Sequence, residues 1–215
     1  MSNITYDYIN DYIREITPES LGILGRIERE AKETDLPIIQ KEVARLISVL
    51  LSVKKPKKIL EIGTAVGYSA ILMSNYLQEG GKLITIERYD IMQNAAKENI
   101  KEAGLEDTIS LIEKDAEEVL PILDDSFDVI FLDGAKGQYN NFLPHCLRLL
   151  KKDGLLIADN VLHKGTVAKL RYDIPRRQRT IHKRMRSFLW EITHNSDLET
   201  CVLPIGDGVA VCHKK

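Results

Sequence analysis

Hydrophobic residues in the first quarter of the chain recur with the spacing of a helix. Ile4, Tyr8, Tyr12 and Ile16 fall four apart, which stacks them on one face. Leu21, Leu24, Ile27 and Ala31 do the same over residues 20–34. Pro37 interrupts, and Val43, Leu46, Ile47, Leu50 and Leu51 give a third helix, 38–53, its apolar face. From residue 57 the period changes. Short apolar runs at 57–62, 82–87, 108–113, 127–132 and 154–159 alternate with helical stretches at 67–78, 90–103, 116–122 and 137–150. Strands separated by helices predict right-handed βαβ units and a mostly parallel sheet. After 159 the alternation stops. A basic stretch enters a helix ending near 195, and runs at 198–205 and 209–214 flank a Gly-Asp-Gly turn as a terminal hairpin. The whole reads as one domain of residues 1–215: a helical cap (1–53), a core (57–160), a basic segment (161–195) and a hairpin (198–215).

The turn after the first strand is the most informative stretch, KILEIGTAVGYS at 58–69. Gly63 and Gly67 bracket it, and glycine lets a backbone turn sharply and approach a ligand closely. Ligands bind at the carboxyl ends of strands in open α/β sheets. The G-x-G-x-x-G dinucleotide pattern and the G-x-x-x-x-G-K-[ST] phosphate loop are both absent. Glu61 lies inside the apolar strand, where an acid needs partners. It repels phosphate and suits a cationic ligand or one rich in hydroxyl and amine donors.

Composition changes little. The chain has 215 residues, 44% hydrophobic and 29% charged, with a formal charge of −2. That describes an ordinary globular protein without a global pull toward nucleic acid. Cys146, Cys201 and Cys212 form no C-x-x-C motif, which fits a reduced, cytoplasmic setting. MSNITYDYIN lacks the basic and apolar regions of a signal peptide, and no apolar run nears the ~20 residues of a membrane span.

Acids recur where the strands end: Glu61, Glu87, Asp115, Asp133 and Asp159. Gathered at one sheet edge, their charges need cations or hydrogen-bond donors. Glu87 lies 24 positions after Gly63, near the ~20-residue spacing of an acid that binds ribose hydroxyls; a structural salt bridge is the other reading. Asp115 also reads as a helix cap. Asp133, Asp159 and Asn160 offer two carboxylates and an amide oxygen, a hard set suited to Mg²⁺ or another hard divalent cation. An Asx turn is the alternative for Asp159-Asn160. Lys136 follows Asp133 by three residues, so a nearby dication would lower its pKa and make it a general base. The alternative is a solvated lysine at a helix start.

EIGTAVGYS, TIER, KDAEE, DVIFLDGAKGQY and LLIADNVL occur in this order, and in this the chain resembles the metal-dependent, catechol-type class I O-methyltransferases. The resemblance spans about residues 36–165 and the closing hairpin. It implies a Rossmann-like α/β fold: a mostly parallel seven-stranded sheet with a C-terminal antiparallel hairpin and an N-terminal helical cap. It implies S-adenosyl-L-methionine (AdoMet) and Mg²⁺ as cofactors. By resemblance Glu61, Gly63 and Ser69 line the AdoMet pocket, Glu87 takes the ribose, and Asp115 and Ala116 take the adenine side. Gln40 is a further AdoMet candidate. Asp133, Asp159 and Asn160 hold the metal, with Asp133 also bordering AdoMet and acting in catalysis, and Lys136 matches the catalytic lysine. A homodimer is likewise implied.

From His163 to Arg186 nine Lys/Arg face a single acid, Asp173. Such a segment can neutralise RNA phosphates; a solvated basic helix or a patch within a dimer are the alternatives. NDYI, VKKPKKILEIGTAVGYSA, DGAKGQYNNF, DNVLHKG, PRRQRTI and PIGDGVAV resemble the bacterial tRNA 5-hydroxyuridine methyltransferases over nearly the whole chain. That resemblance implies a tRNA anticodon stem-loop as partner, held by Lys164, Arg176, Arg177, Arg179 and Lys183, and a wobble 5-hydroxyl as methyl acceptor. Its neighbouring 4-carbonyl would let it chelate Mg²⁺ as a catechol does. The alternative acceptor is a small catechol or caffeoyl-CoA-like molecule.

Overall fold

The computed structural model describes residues 4–34 and 36–215. In chain order the elements are α1 (Asp7–Ile16), α2 (Gly22–Thr34), α3 (Lys41–Lys54), β1 (Lys58–Ile62), α4 (Tyr68–Ser74), β2 (Lys82–Ile86), α5 (Asp90–Glu102), β3 (Ile109–Ile112) and α6 (Ala116–Ile122). There follow β4 (Phe127–Leu132), α7 (Tyr139–Leu149), β5 (Leu150–Ala158), α8 (Arg179–His194), β6 (Leu198–Leu203) and β7 (Val209–Lys214). The seven strands form a sheet of order β3-β2-β1-β4-β5-β7-β6. β7 runs antiparallel to both β5 and β6, whereas β1–β2, β2–β3 and β4–β5 pair in parallel. Among the described residues no helix is long and apolar enough to cross a membrane.

The chain divides into two compact units. One comprises Asp11–Ala116. Here β1 pairs with β2 and β2 with β3, and Ile59, Leu60 and Leu83 are wholly buried. Val43, Ile47 and Leu51 form the buried stripe of α3. That helix stops where Lys55, at φ 48°, returns its N–H to Leu51 O, and Pro56 prevents continuation. α4 is shorter than the predicted 67–78, ending at Ser74. Gln78 instead donates its N–H to Pro56 O, and Gly81 turns back onto Gln78 O.

The other unit joins the first ten residues to Glu117–Lys215. β4, β5, β7 and β6 pair side by side, and Phe127, Val129, Ile130, Phe131 and Leu132 are all wholly buried. β5 starts at Leu150 rather than the predicted 154, because the register against β4 shifts between Phe127 and Val129. A bulge thus absorbs Lys-Lys-Asp-Gly, which reads as a turn in sequence. Met185, Phe188 and Ile192 bury one face of α8. Tyr139 of α7 meets Phe188 edge-on, with ring centroids 5.2 Å apart.

Candidate active site

One group of candidate residues gathers at the end of β1. Glu61 is wholly buried. The Thr85 hydroxyl donates to its Oε2 at 2.6 Å. With that proton committed, Thr85 accepts from Thr64. Oε1 of Glu61 is buried without a hydrogen-bond partner. Burial pushes its carboxyl up to about 7; the Ser69 and Thr85 hydroxyls oppose the rise and the charge of Glu87 adds to it.

Past Gly63 the turn holds Ala65 at φ 45°, a left-handed conformation costly for a residue with a Cβ. Its N–H donates to Glu87 Oε2 at 2.9 Å. The other oxygen of Glu87 accepts the N–H groups of Arg88 and Tyr89. Glu87 therefore pins the turn while keeping lone-pair capacity for a ligand hydroxyl. From behind, Asn99 Nδ2 donates to Val66 O at 2.8 Å, and Arg26 of α2 donates to Asn99 Oδ1 at 2.7 Å. Gly67, at φ 84°, has only 3.4 Å between an added Cβ and Ala96.

A second group gathers at the ends of β4 and β5. Asp159 N–H donates to Leu132 O at 2.9 Å, extending the strand pairing by one step. The buried Tyr139 hydroxyl lies 2.9 Å from Leu132 O and 3.1 Å from Asp159 O. One phenol therefore fastens the two strand ends from which Asp133 and Asp159 project. Burial raises the Tyr139 hydroxyl pKa well above the usual phenol range, and the charges of Asp133 and Asp159 raise it further. Asp159 Oδ1 accepts the Asn160 N–H at 2.7 Å, and Asn160 sits at φ 58°, a region asparagine tolerates. Lys136 opens the 3-10 turn Lys136–Gln138 directly after this strand end. His163 is held below its usual pKa chiefly by burial, against Asp207, with Lys136 and Lys164 adding to the fall.

Each group of residues suits the ligand expected of it. The orphaned Glu61 Oε1 calls for a donor-rich or cationic ligand, and Gly67 gives the turn close packing. After β4 and β5, two carboxylates and an amide supply oxygen donors only. Among the described residues no group of three or more His, Cys, Asp and Glu gathers as an alternative metal cage.

Residues 15–215 match the family described as O-methyltransferase. The chain belongs to that family. It is 32% identical over 78% of its length to a catechol O-methyltransferase of Niastella koreensis, covering 78% of that protein. It is 29% identical to a caffeoyl-CoA O-methyltransferase of Stellaria longipes, over 79% of this chain and 73% of the relative. The Bacillus cereus O-methyltransferase, solved in complex with SAH, superposes with a TM-score of 0.84 at 23% identity over 99% of this chain and all of that one, which shows the shared fold. The activity class is AdoMet-dependent O-methyl transfer.

In this O-methyltransferase most of the expected residues fall into three groups. Glu61, Gly63, Ser69 and Glu87 surround the β1 turn. Asp115 pairs with Arg88 at 3.2 Å, and Ala116 is buried at the start of α6. Gln40 stands apart, at the N-terminus of α3, with its Oε1 accepting from Arg14 at 2.9 Å. Asp133, Lys136, Asp159 and Asn160 follow β4 and β5. Arg179 and Lys183 share a cavity on α8, whose lining leaves out Arg176, Arg177 and Lys164. Lys164 is fixed through its backbone, its N–H donating to Asp207 Oδ1 at 2.6 Å. Asn99, Thr85 and Tyr139 were given no role by sequence reasoning. A buried polar residue on a helix face was the available signal for Asn99, and the D-x-x-K-x-x-Y spacing was the one for Tyr139.

Proposed function

We propose that this O-methyltransferase methylates one of two neighbouring oxygens on a small acceptor of the catechol or caffeoyl-CoA kind. The observation that carries the reading is the paired carboxylate edge after β4 and β5, fastened by Tyr139. The names of the relatives favour this acceptor over a tRNA. Asp133, Asp159 and Asn160 would hold a hard divalent cation such as Mg²⁺. Such a cation supplies Lewis acidity, making a hydroxyl that chelates it easier to deprotonate. AdoMet supplies a methyl group on a sulfonium, and Glu61, Gly63, Ser69 and Glu87 would hold it, with Asp115 and Ala116 on its adenine side.

The residues of the chain do the rest. Lys136 Nζ takes the acceptor's hydroxyl proton. Tyr139 keeps the two aspartates in register, so little reorganisation is needed when the acceptor binds. Above about pH 7 Glu61 places negative charge at the start of the glycine turn, where a sulfonium is welcome. Tyr8, Tyr12 and Ile16 of α1 are exposed by 71%, 62% and 61%, a surface suited to the expected homodimer.

A second reading is favoured by the basic segment: the acceptor is a wobble 5-hydroxyuridine in a tRNA anticodon stem-loop. The purified protein, given AdoMet and Mg²⁺, separates the two. Methylation of catechol or caffeoyl-CoA supports the first. Methylation confined to hydroxylated tRNA, with unmodified tRNA inert, supports the second. No transfer to any of these acceptors overturns both.

A further inference from the structure

The first half of α8 and the 3-10 turn Arg171–Asp173 border a cavity of about 420 Å³. Arg171, Arg179, Lys183 and Arg184 line it, together with Asn140 of α7 and Thr180. Arg179 and Lys183 are one helical turn apart on the same face. Three arginines elsewhere pair with acids, as Arg14–Glu42, Arg26–Glu102 and Arg88–Asp115, and others, such as Arg45 and Arg148, cap backbone carbonyls. Among the described residues no carboxylate pairs with Arg171, Arg179 or Lys183. Two polar atoms of the lining, Arg179 Nε and Asn140 Oδ1, are buried without a hydrogen-bond partner. An unsatisfied buried donor on a cation is costly, and four cations lining one cavity favour an anion there.

We propose that this cavity binds a phosphate group carried by a larger ligand. Guanidinium forks match phosphate oxygens two at a time, and the Arg179 Nε–H is the unused donor. The volume lies within the ~300–1,000 Å³ of small-molecule pockets, leaving room for the sugar or base attached to the phosphate. Two sources share this chemistry: a phosphodiester of a polynucleotide, and the nucleotide phosphates of a CoA thioester. The proposal rests on the acceptor readings above for its ligand and adds where that ligand is held. Arg184 Nη1 donates to Gly137 O at 2.9 Å, inside the turn that begins at Lys136. Asn140 Nδ2 donates to Arg184 O at 2.8 Å. The phosphate would thus be gripped beside the backbone that carries the proposed base.

Binding of a labelled short single-stranded RNA, and separately of coenzyme A, tests this with the full chain. The variants are Arg179→Glu, Lys183→Glu, and the pair Lys114→Glu with Lys152→Glu, two exposed lysines outside the lining and outside the basic segment. Arg179→Gln is the milder substitute where melting shows that the reversal disturbs the fold. The expected result is a loss of about tenfold or more at 179 and at 183 for at least one probe, against less than about threefold for the outer pair. For RNA the salt slope should also fall by about 1 per lost contact. An effect on coenzyme A alone keeps the site and removes the tRNA reading. An effect on RNA keeps both. Equal losses at all four positions, affinities indifferent to 179 and 183, or binding of neither probe overturn the site. RNA binding that ignores 179 and 183 does so while leaving the tRNA reading intact.

Discussion

Glu61→Gln removes one titration from the centre of the β1 turn while keeping the side chain's shape and an acceptor for Thr85. The wild-type carboxyl moves from an ordinary 4.5 to about 7 on folding. A raised carboxyl pKa contributes stability that is complete below about 4.5 and is lost as pH rises through about 7. At 1.36 kcal/mol per pKa unit, the full loss is about 3 kcal/mol. Glutamine does not titrate, so Glu61→Gln should match the wild type near the acid end and exceed it increasingly up to about pH 8. For a chain of this length, roughly 2–4 °C per kcal/mol makes that a gap of roughly 6–12 °C in melting temperature. Thermal unfolding of both proteins without ligand, from pH 5 to 9, measures it, and the acids not coupled to Glu61 cancel in the difference. Stability profiles that run parallel across that range would refute the reasoning. AdoMet should reverse the ranking, because donors and a sulfonium facing Oε1 favour the ionised carboxylate; Glu61→Gln should bind it about tenfold more weakly or worse above pH 7.

Tyr139→Phe keeps the ring and its contact with Phe188 but strips the hydroxyl from Leu132 O and Asp159 O. Urea unfolding should register a loss of about 1–2 kcal/mol. Turnover should drop with the KM for AdoMet unchanged, and full turnover would show that the strand ends do not need this fastening. Glu87→Gln places an amide NH₂ against either Ala65 N–H or the Arg88 and Tyr89 N–H groups, since an amide has one acceptor oxygen. Calorimetry should show AdoMet affinity weakened about tenfold and the melting temperature lowered; unaltered affinity would remove Glu87 from the cofactor's surroundings.

Much of the fold was legible because buried strands leave uninterrupted apolar runs and helices leave a stripe. Boundaries were harder: Lys-Lys-Asp-Gly and Gln-Glu-Gly-Gly carry the same local chemistry, yet one is swallowed by a bulge in β5 and the other is a true turn. The acids were legible because Glu61 sits inside an apolar run and Asp133 and Asp159 end two others. For Asn99 and Tyr139 a polar residue on a helix face and the D-x-x-K-x-x-Y spacing mark the residue but not its role, since the backbone carbonyls they reach, 33 and 20 residues away, have no sequence signature. The basic segment announced its charge but not its grouping. Arg171 reaches the α8 cavity from a separate turn, whereas Arg176 and Arg177, closer in sequence to Arg179, stay outside its lining.

The account depends most on the oxygen donors of Asp133, Asp159 and Asn160 holding a hard cation that an acceptor with two neighbouring oxygens shares. The direct measurement is the initial rate of methyl transfer to the best acceptor of the panel, in EDTA and after addition of excess Mg²⁺, for the wild type and Asp159→Asn. The account predicts a rate abolished by EDTA, restored by Mg²⁺ in the wild type, and restored poorly or not at all in the variant. A rate indifferent to EDTA, or a variant that responds to Mg²⁺ like the wild type, would contradict it.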